Sequence, residues 1–167
     1  MPSLRKRAPR RSQAADPTDA TAAELAAVAL LARRDFACGE LGAKLRERGF
    51  DPAVVLELIE ALRHRRLLDD GRYAGNFVRY HSARGQGPVR IRRDLEAVSV
   101  DAELIEVALE AVPDWGALAR QVRRRRFGAK PPELWREKGR QARFLQYRGF
   151  SNDHIRTALG PDFELDT

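Results

Sequence analysis

Leu45-Arg-Glu-Arg-Gly-Phe50-Asp51-Pro-Ala-Val-Val55 is the stretch on which the reading turns, because its pattern returns twice at a spacing of 50 residues. It aligns with Leu95-Glu-Ala-Val-Ser-Val100-Asp101-Ala-Glu-Leu-Ile105 and with Leu145-Gln-Tyr-Arg-Gly-Phe150-Ser151-Asn-Asp-His-Ile155; Ile59, Leu109 and Leu159 continue the register. Each copy reads as a helix end, a small residue, an apolar residue, a capping side chain and the start of a second amphipathic helix. Gly49 and Gly149 suit the left-handed residue that terminates a helix, after which Phe50, Val100 or Phe150 tucks under the turn. Asp51, Asp101 and Ser151 are good N-caps, and Pro52 suits a first helical position. Ser99 stands where the other copies have glycine, so it must either carry a positive φ or change the turn.

Working outward, a further helix is expected upstream of each copy, over residues 22–34, 71–83 and 115–127. The middle helices are expected over 38–48, 88–98 and 132–148, the last being the longest. The fold class is therefore all-α, a tandem array of three three-helix repeats, elongated and curved, in which neighbours stack to cover each other's apolar faces. The repeats are placed at 21–68, 69–112 and 113–160, between a disordered basic tail over 1–20 and a frayed acidic end over 161–167. Aromatic residues make up only 7% of the 167 residues, which also favours helix on helix over a β-sandwich.

The net charge of +7 is unevenly distributed. Residues 1–12 carry five basic and no acidic residues, 13–70 eight against eleven, 71–111 six against six, 112–149 eleven against three, and 150–167 one against four. Positive charge concentrated in a tail and one late segment is the pattern of a polyanion contact. The single cysteine, Cys38, cannot form an internal disulfide, and the basic start lacks an apolar stretch behind it, so a cytoplasmic protein without a membrane span is expected.

Candidate chemistry is sparse. His64, His81 and His154 are scattered and Cys38 has no partner at metal spacing, so neither a zinc site nor a nucleophilic triad is supported. Asp69 and Asp70 precede a helix, and Asp70 is expected to cap it. Gly85-Gln-Gly-Pro88 lacks the Lys-Ser/Thr of a phosphate loop and reads as a turn that starts a helix. Tyr73 and Phe77, at i, i+4, are expected in the core. The densest charge is Arg123-Arg-Arg-Arg126, with Arg120, Lys130, Arg136, Lys138, Arg140, Arg143 and Arg148 nearby. Four consecutive positions cover every side of a helix, so several must face solvent or phosphate.

Leu67-Leu-Asp-Asp-Gly-Arg-Tyr-Ala-Gly-Asn-Phe-Val-Arg79, followed by Gly85-Gln-Gly-Pro-Val-Arg-Ile-Arg-Arg-Asp-Leu95, closely resembles the central signature of the RecX regulatory proteins. Leu30-Leu-Ala-Arg-Arg-Asp-Phe36 with Glu40-Leu-Gly-Ala-Lys-Leu-Arg-Glu-Arg-Gly-Phe50 is similar to their first repeat, and Lys138-Gly-Arg-Gln-Ala-Arg-Phe-Leu-Gln-Tyr-Arg-Gly-Phe-Ser151 to their last. The resemblance covers about residues 22–160 and implies a non-enzymatic protein without cofactors. It implies binding to RecA–DNA filaments and lowered RecA ATP hydrolysis, strand exchange and co-protease activity in recombination and SOS repair. One departure is Ala37, where such sequences often carry a Ser or Thr three residues before Glu40 that would form a capping box.

The expected partners are the RecA filament and single-stranded DNA, with double-stranded DNA as a further ligand; the protein is expected to be a monomer. Arg79, Arg84, Arg90, Arg93, Arg123, Arg124, Arg125, Arg126, Arg140 and Arg143 are the candidate contacts to RecA or DNA. The residues alone leave open a general helical DNA- or RNA-binding protein without RecA specificity.

Overall fold

A computed structural model describes residues 16–160. Among them lie nine helices and no strand: α1 (Ala20–Leu31), α2 (Cys38–Glu47), α3 (Pro52–His64), α4 (Asp70–Ala83), α5 (Pro88–Glu96), α6 (Ala102–Glu110), α7 (Trp115–Phe127), α8 (Trp135–Tyr147) and α9 (Asn152–Leu159). The three copies of the decisive stretch make the same turn. The N–H groups of Phe50, Val100 and Phe150 donate to the carbonyls of Leu45, Leu95 and Leu145, while those of Gly49, Ser99 and Gly149 donate to Arg46, Glu96 and Gln146. This paired bond pattern satisfies the last carbonyls of a helix and requires a left-handed residue. Gly49 and Gly149 adopt φ of 94° and 88°, and Ser99 carries the strained value of 62° rather than changing the turn. Asp51, Asp101 and Ser151 then cap α3, α6 and α9 with their side chains.

Three apolar clusters follow the three repeats. Leu41, Leu45, Val55 and Leu62 centre the first; Val78, Ile91, Leu95 and Ile105 the second; and Val122, Leu145, Phe150 and Ile155 the third. Ala37, from the first repeat, is fully buried in the second cluster, and Trp115 packs against both the second and the third. The repeats are thus plugged into one another. Tyr73 and Phe77 are half-buried against the second cluster, as their spacing predicts.

Several boundaries move. The middle helix of the third repeat starts at Trp135, not at residue 132, with Leu134 as its extended cap residue. At the other end, the expected tail over 1–20 and frayed end over 161–167 lie mostly outside the described residues. Residues 16–20 do not fit a loose tail: Thr18 donates to Asp16, Asp19 caps α1, and the Asp51 N–H donates to the Pro17 carbonyl at 2.8 Å.

The expected role of Asp70 is also corrected. Asp69 caps α4, accepting from the Arg72 N–H at 2.9 Å, while Asp70 is already helical. Asp70 Oδ1 reaches back across the repeat boundary and accepts from the Cys38 N–H at 2.8 Å. Cys38 opens α2, whose own cap residue, Ala37, offers no side-chain acceptor. A carboxylate from the second repeat therefore serves the helix N-terminus left bare in the first.

Candidate nucleic-acid interface

The junction between repeats 2 and 3 is made by backbone. The Gly87 and Val89 N–H groups, at the start of α5, donate to the Arg148 and Gly149 carbonyls at 2.8 and 3.0 Å. Contact is so close that a Cβ on Gly87 would lie 2.3 Å from the Gly149 oxygen, and one on Gly149 would lie 2.3 Å from Arg90 Cβ. Gly87, at φ −87°, is required by proximity alone, whereas Gly149, at φ 88°, is required by proximity and by conformation.

Beside this junction is a cleft of about 350 Å³ lined by Arg84 and Gly85 from repeat 2 and by Val122, Arg125, Arg126, Phe144 and Arg148 from repeat 3. Among the described residues no carboxylate lines it. A second cleft, of about 490 Å³, lies along α7 between Arg120, Gln121, Arg124, Arg125 and Ala129. Arg125 belongs to both, so the two form one basic face. Arg84, Arg124, Arg125 and Arg126 are exposed, Arg148 is half-buried, and among the described residues none of the five has a carboxylate within salt-bridge distance. Arg84 instead donates to the Tyr80 hydroxyl at 2.8 Å and lies over its ring. Arg126 and Arg148 stand 5.7 Å from the Phe127 and Phe144 ring centres. Aromatic faces hold these guanidiniums without neutralising them.

The candidate arginines separate once folded. Arg123 alone of its run is buried: it donates to the carbonyls of Gly128, Ala129 and Lys130 and to Gln141 Oε1, at 3.1–3.4 Å, and so organises the chain between α7 and α8. Burial, and then the neighbouring Arg124 charge, pull its guanidinium below the usual arginine range. With its donors directed at carbonyls, it is not placed to meet a phosphate. Arg90 is wedged at the junction against Gly149 and pairs at 3.7 Å with Asp94; Arg93 stands 3.5 Å from the same carboxylate. Arg140 pairs with Glu137 at 3.1 Å. Arg143 is exposed on α8 and lines neither basic cleft, and Arg79 lies in a separate, mostly apolar cleft with Val78, Ala111, Val112 and Pro113.

Sequence reasoning passed over Arg148 as a contact, and with it the exposed Tyr80 and Tyr147 that flank the cleft residues Arg84 and Arg148. Arg148 reads in sequence as the residue before a helix-ending glycine. Nothing local indicates that it meets Arg84 across a repeat boundary.

By contrast, the junction between repeats 1 and 2 holds a cleft with Glu60, Asp69, Asp70 and Asp101 facing Arg63 and His64. The molecule is electrically polar along its chain. Among the described residues no group of three or more His, Cys, Asp or Glu side chains is placed to hold a metal ion, and no helix is long and apolar enough to cross a membrane.

Comparison with known proteins matches three family models in chain order: the first three-helix domain of RecX over residues 23–62, the second over 69–109 and the third over 116–159. The regulatory protein RecX of Halorhodospira halophila is 52% identical over 142 residues, covering 84% of this chain and 88% of its own. That of Chromohalobacter salexigens is 40% identical over 139 residues, covering 83% and 91%. The crystal structure of RecX from Lactobacillus salivarius shares the fold, with a TM-score of 0.72, 24% identity and coverage of 84% of this chain and 94% of that one.

Proposed function

The chain belongs to the RecX family, and from that premise we propose that it is a non-enzymatic regulator that binds RecA–DNA filaments and lowers RecA ATP hydrolysis, strand exchange and co-protease activity. The observation that carries the DNA part of this reading is the basic face of repeat 3. Among the described residues its Arg124, Arg125 and Arg126 lack the carboxylate partners that Arg34, Arg63, Arg65 and Arg92 find in the first two repeats and that Arg120 and Arg140 find in the third. Unpaired like charges at close range repel, and the arrangement is favourable when a polyanion supplies the counter-charge. The RecA part rests on family membership.

The test is RecA-dependent ATP hydrolysis on single-stranded DNA, titrated with the wild type and with Arg124, Arg125 and Arg126 changed to Gln. Arg123 is left in place because it holds the α7–α8 connection. Inhibition by the wild type that persists when DNA is in large excess, and that weakens in the triple variant, is expected. Inhibition that disappears on adding DNA would instead identify a general nucleic-acid binder that merely competes for the strand.

A further inference from the structure

We propose that the cleft across the junction of repeats 2 and 3 is a built phosphodiester site for a single DNA strand, with Arg84, Arg125, Arg126 and Arg148 around the phosphate and Tyr80 and Tyr147 as base-stacking faces. The proposal rests on the reading of the protein as a nucleic-acid-contacting regulator and assigns one subsite within it.

Three independent observations carry it. The first is charge: among the described residues, four arginines line a cleft of about 350 Å³ with no acidic wall, and none of the four is ion-paired elsewhere. The second is an orphaned donor. Arg148 Nε is buried without a hydrogen-bond partner, although Arg148 itself lines the cleft. A phosphate oxygen pair accepting side-on from Nε and Nη, after a small turn of the guanidinium that brings the Nε–H to the cleft, satisfies that donor. The third is the surroundings. Tyr147, 78% exposed, directly precedes Arg148, and Tyr80, 57% exposed, lies one helical turn before Arg84, whose guanidinium rests over its ring. Exposed ring faces beside a basic groove are how proteins hold unpaired bases, whereas a duplex keeps its bases stacked and out of reach.

The site exists only while the repeats are docked. A Cβ on Gly85 would lie 2.8 Å from Val122 Cγ2 and 3.8 Å from Arg148 Nη2, so the repeat 2 wall touches the repeat 3 wall directly. A bound phosphate therefore bridges two repeats and opposes their separation, which ties strand binding to the shape of the whole array.

The experiment measures binding of a fluorescent ten-nucleotide oligo-dT to the full chain by anisotropy, without RecA. Arg148→Gln and Arg84→Gln are each expected to weaken binding about tenfold or more, as loss of a charge-assisted donor pair does. Arg136→Gln removes the same charge from an exposed position of the same repeat outside the cleft and is expected to cost about twofold or less. Tyr147→Ala should weaken binding several-fold and Tyr147→Phe should not. Equal losses for Arg148→Gln and Arg136→Gln would overturn the site in favour of diffuse attraction. Tripolyphosphate binding as tightly as the oligonucleotide would make the ligand a free phosphate, and a matched duplex binding more tightly than the single strand would also defeat the assignment. Oligonucleotide binding untouched by either cleft variant would overturn the site outright. Because RecA is absent from the assay, failure here leaves filament regulation to stand or fall on the ATP hydrolysis titration.

Discussion

Arg123 and Arg148 both bury an unpartnered Nε in repeat 3, yet their remaining donors go to different ends. Arg123 spends its Nη groups on the carbonyls of residues 128–130 and on Gln141, so Arg123→Met leaves those acceptors unsatisfied in a connection with no regular structure. A loss of about 2–4 kcal/mol in urea unfolding is expected; a loss no larger than for Arg124→Met would show that the loop holds without it. His154 is a second residue whose role is settled by its environment. Its Nδ1 accepts at the capping box, 3.3 Å from the Ser151 N–H and 2.9 Å from the hydroxyl, and burial lowers its pKa below the usual 6.5, against the raising effect of Asp153 and Asp114. The neutral ring is the folded form, so the unfolded chain takes up more protons near and below pH 6.5. This contribution is therefore present at neutral pH and lost as pH falls through that value. His154→Gln can keep the capping box but cannot titrate, so its melting temperature should vary less with pH between about 5 and 7 than that of the wild type. Parallel curves for the two proteins would rule the linkage out.

At the scale of elements, the repeats are joined by groups that serve a neighbour's helix end. Asp70 is first in its own helix, where its charge is favourable, and also supplies the acceptor that Ala37 cannot. Asp70→Ala should destabilise the chain by about 1–2 kcal/mol. It should also make Cys38 react faster with thiol reagents, since burial and then the Asp70 charge push that thiol up to about 12. Unchanged reactivity would mean that burial alone governs the thiol. At the other junction, Gly49 and Gly149 have nearly equal positive φ, but a Cβ on Gly49 meets open space and one on Gly149 meets Arg90. Gly49→Ala should cost about 1–2 kcal/mol, the ordinary penalty of the left-handed region. Gly149→Ala should cost clearly more. Similar unfolding midpoints for the two variants would argue against the tight seating of repeat 3 on repeat 2.

At the scale of the whole molecule, the acidic and balanced first two repeats and the strongly basic third make the array polar, with its free arginines facing one way along α7 and the repeat 2–3 junction. Binding to a single strand should therefore weaken steeply with salt. Replacing Arg124, Arg125 and Arg126 by Gln should flatten the log–log slope by about 0.7 for each phosphate contact removed. The same three changes placed at the ion-paired Arg34, Arg63 and Arg65 should leave the slope where it was, because those charges are already neutralised by Glu40, Glu60 and Glu24. Equal flattening in both variants would show that only total charge matters.

The all-helical class, the three-fold repeat and the turn at Gly49, Ser99 and Gly149 were legible in the chain itself. Caps, left-handed residues and apolar periodicity are local physics, and each copy repeats them within a dozen residues or so. The basic character of repeat 3 was legible for the same reason, since charge density needs no fold to be counted. Which arginines are free was not legible. Four consecutive residues on α7 look alike in sequence, and only packing against the α7–α8 connection buries Arg123 while leaving Arg124, Arg125 and Arg126 exposed. The exchange of roles between Asp69 and Asp70, and the meeting of Arg84 with Arg148, are likewise tertiary facts: each depends on a partner from another repeat, more than 30 residues away in sequence. Local signals set what every repeat is, and the docking of one repeat on the next decides which side chains remain for a ligand.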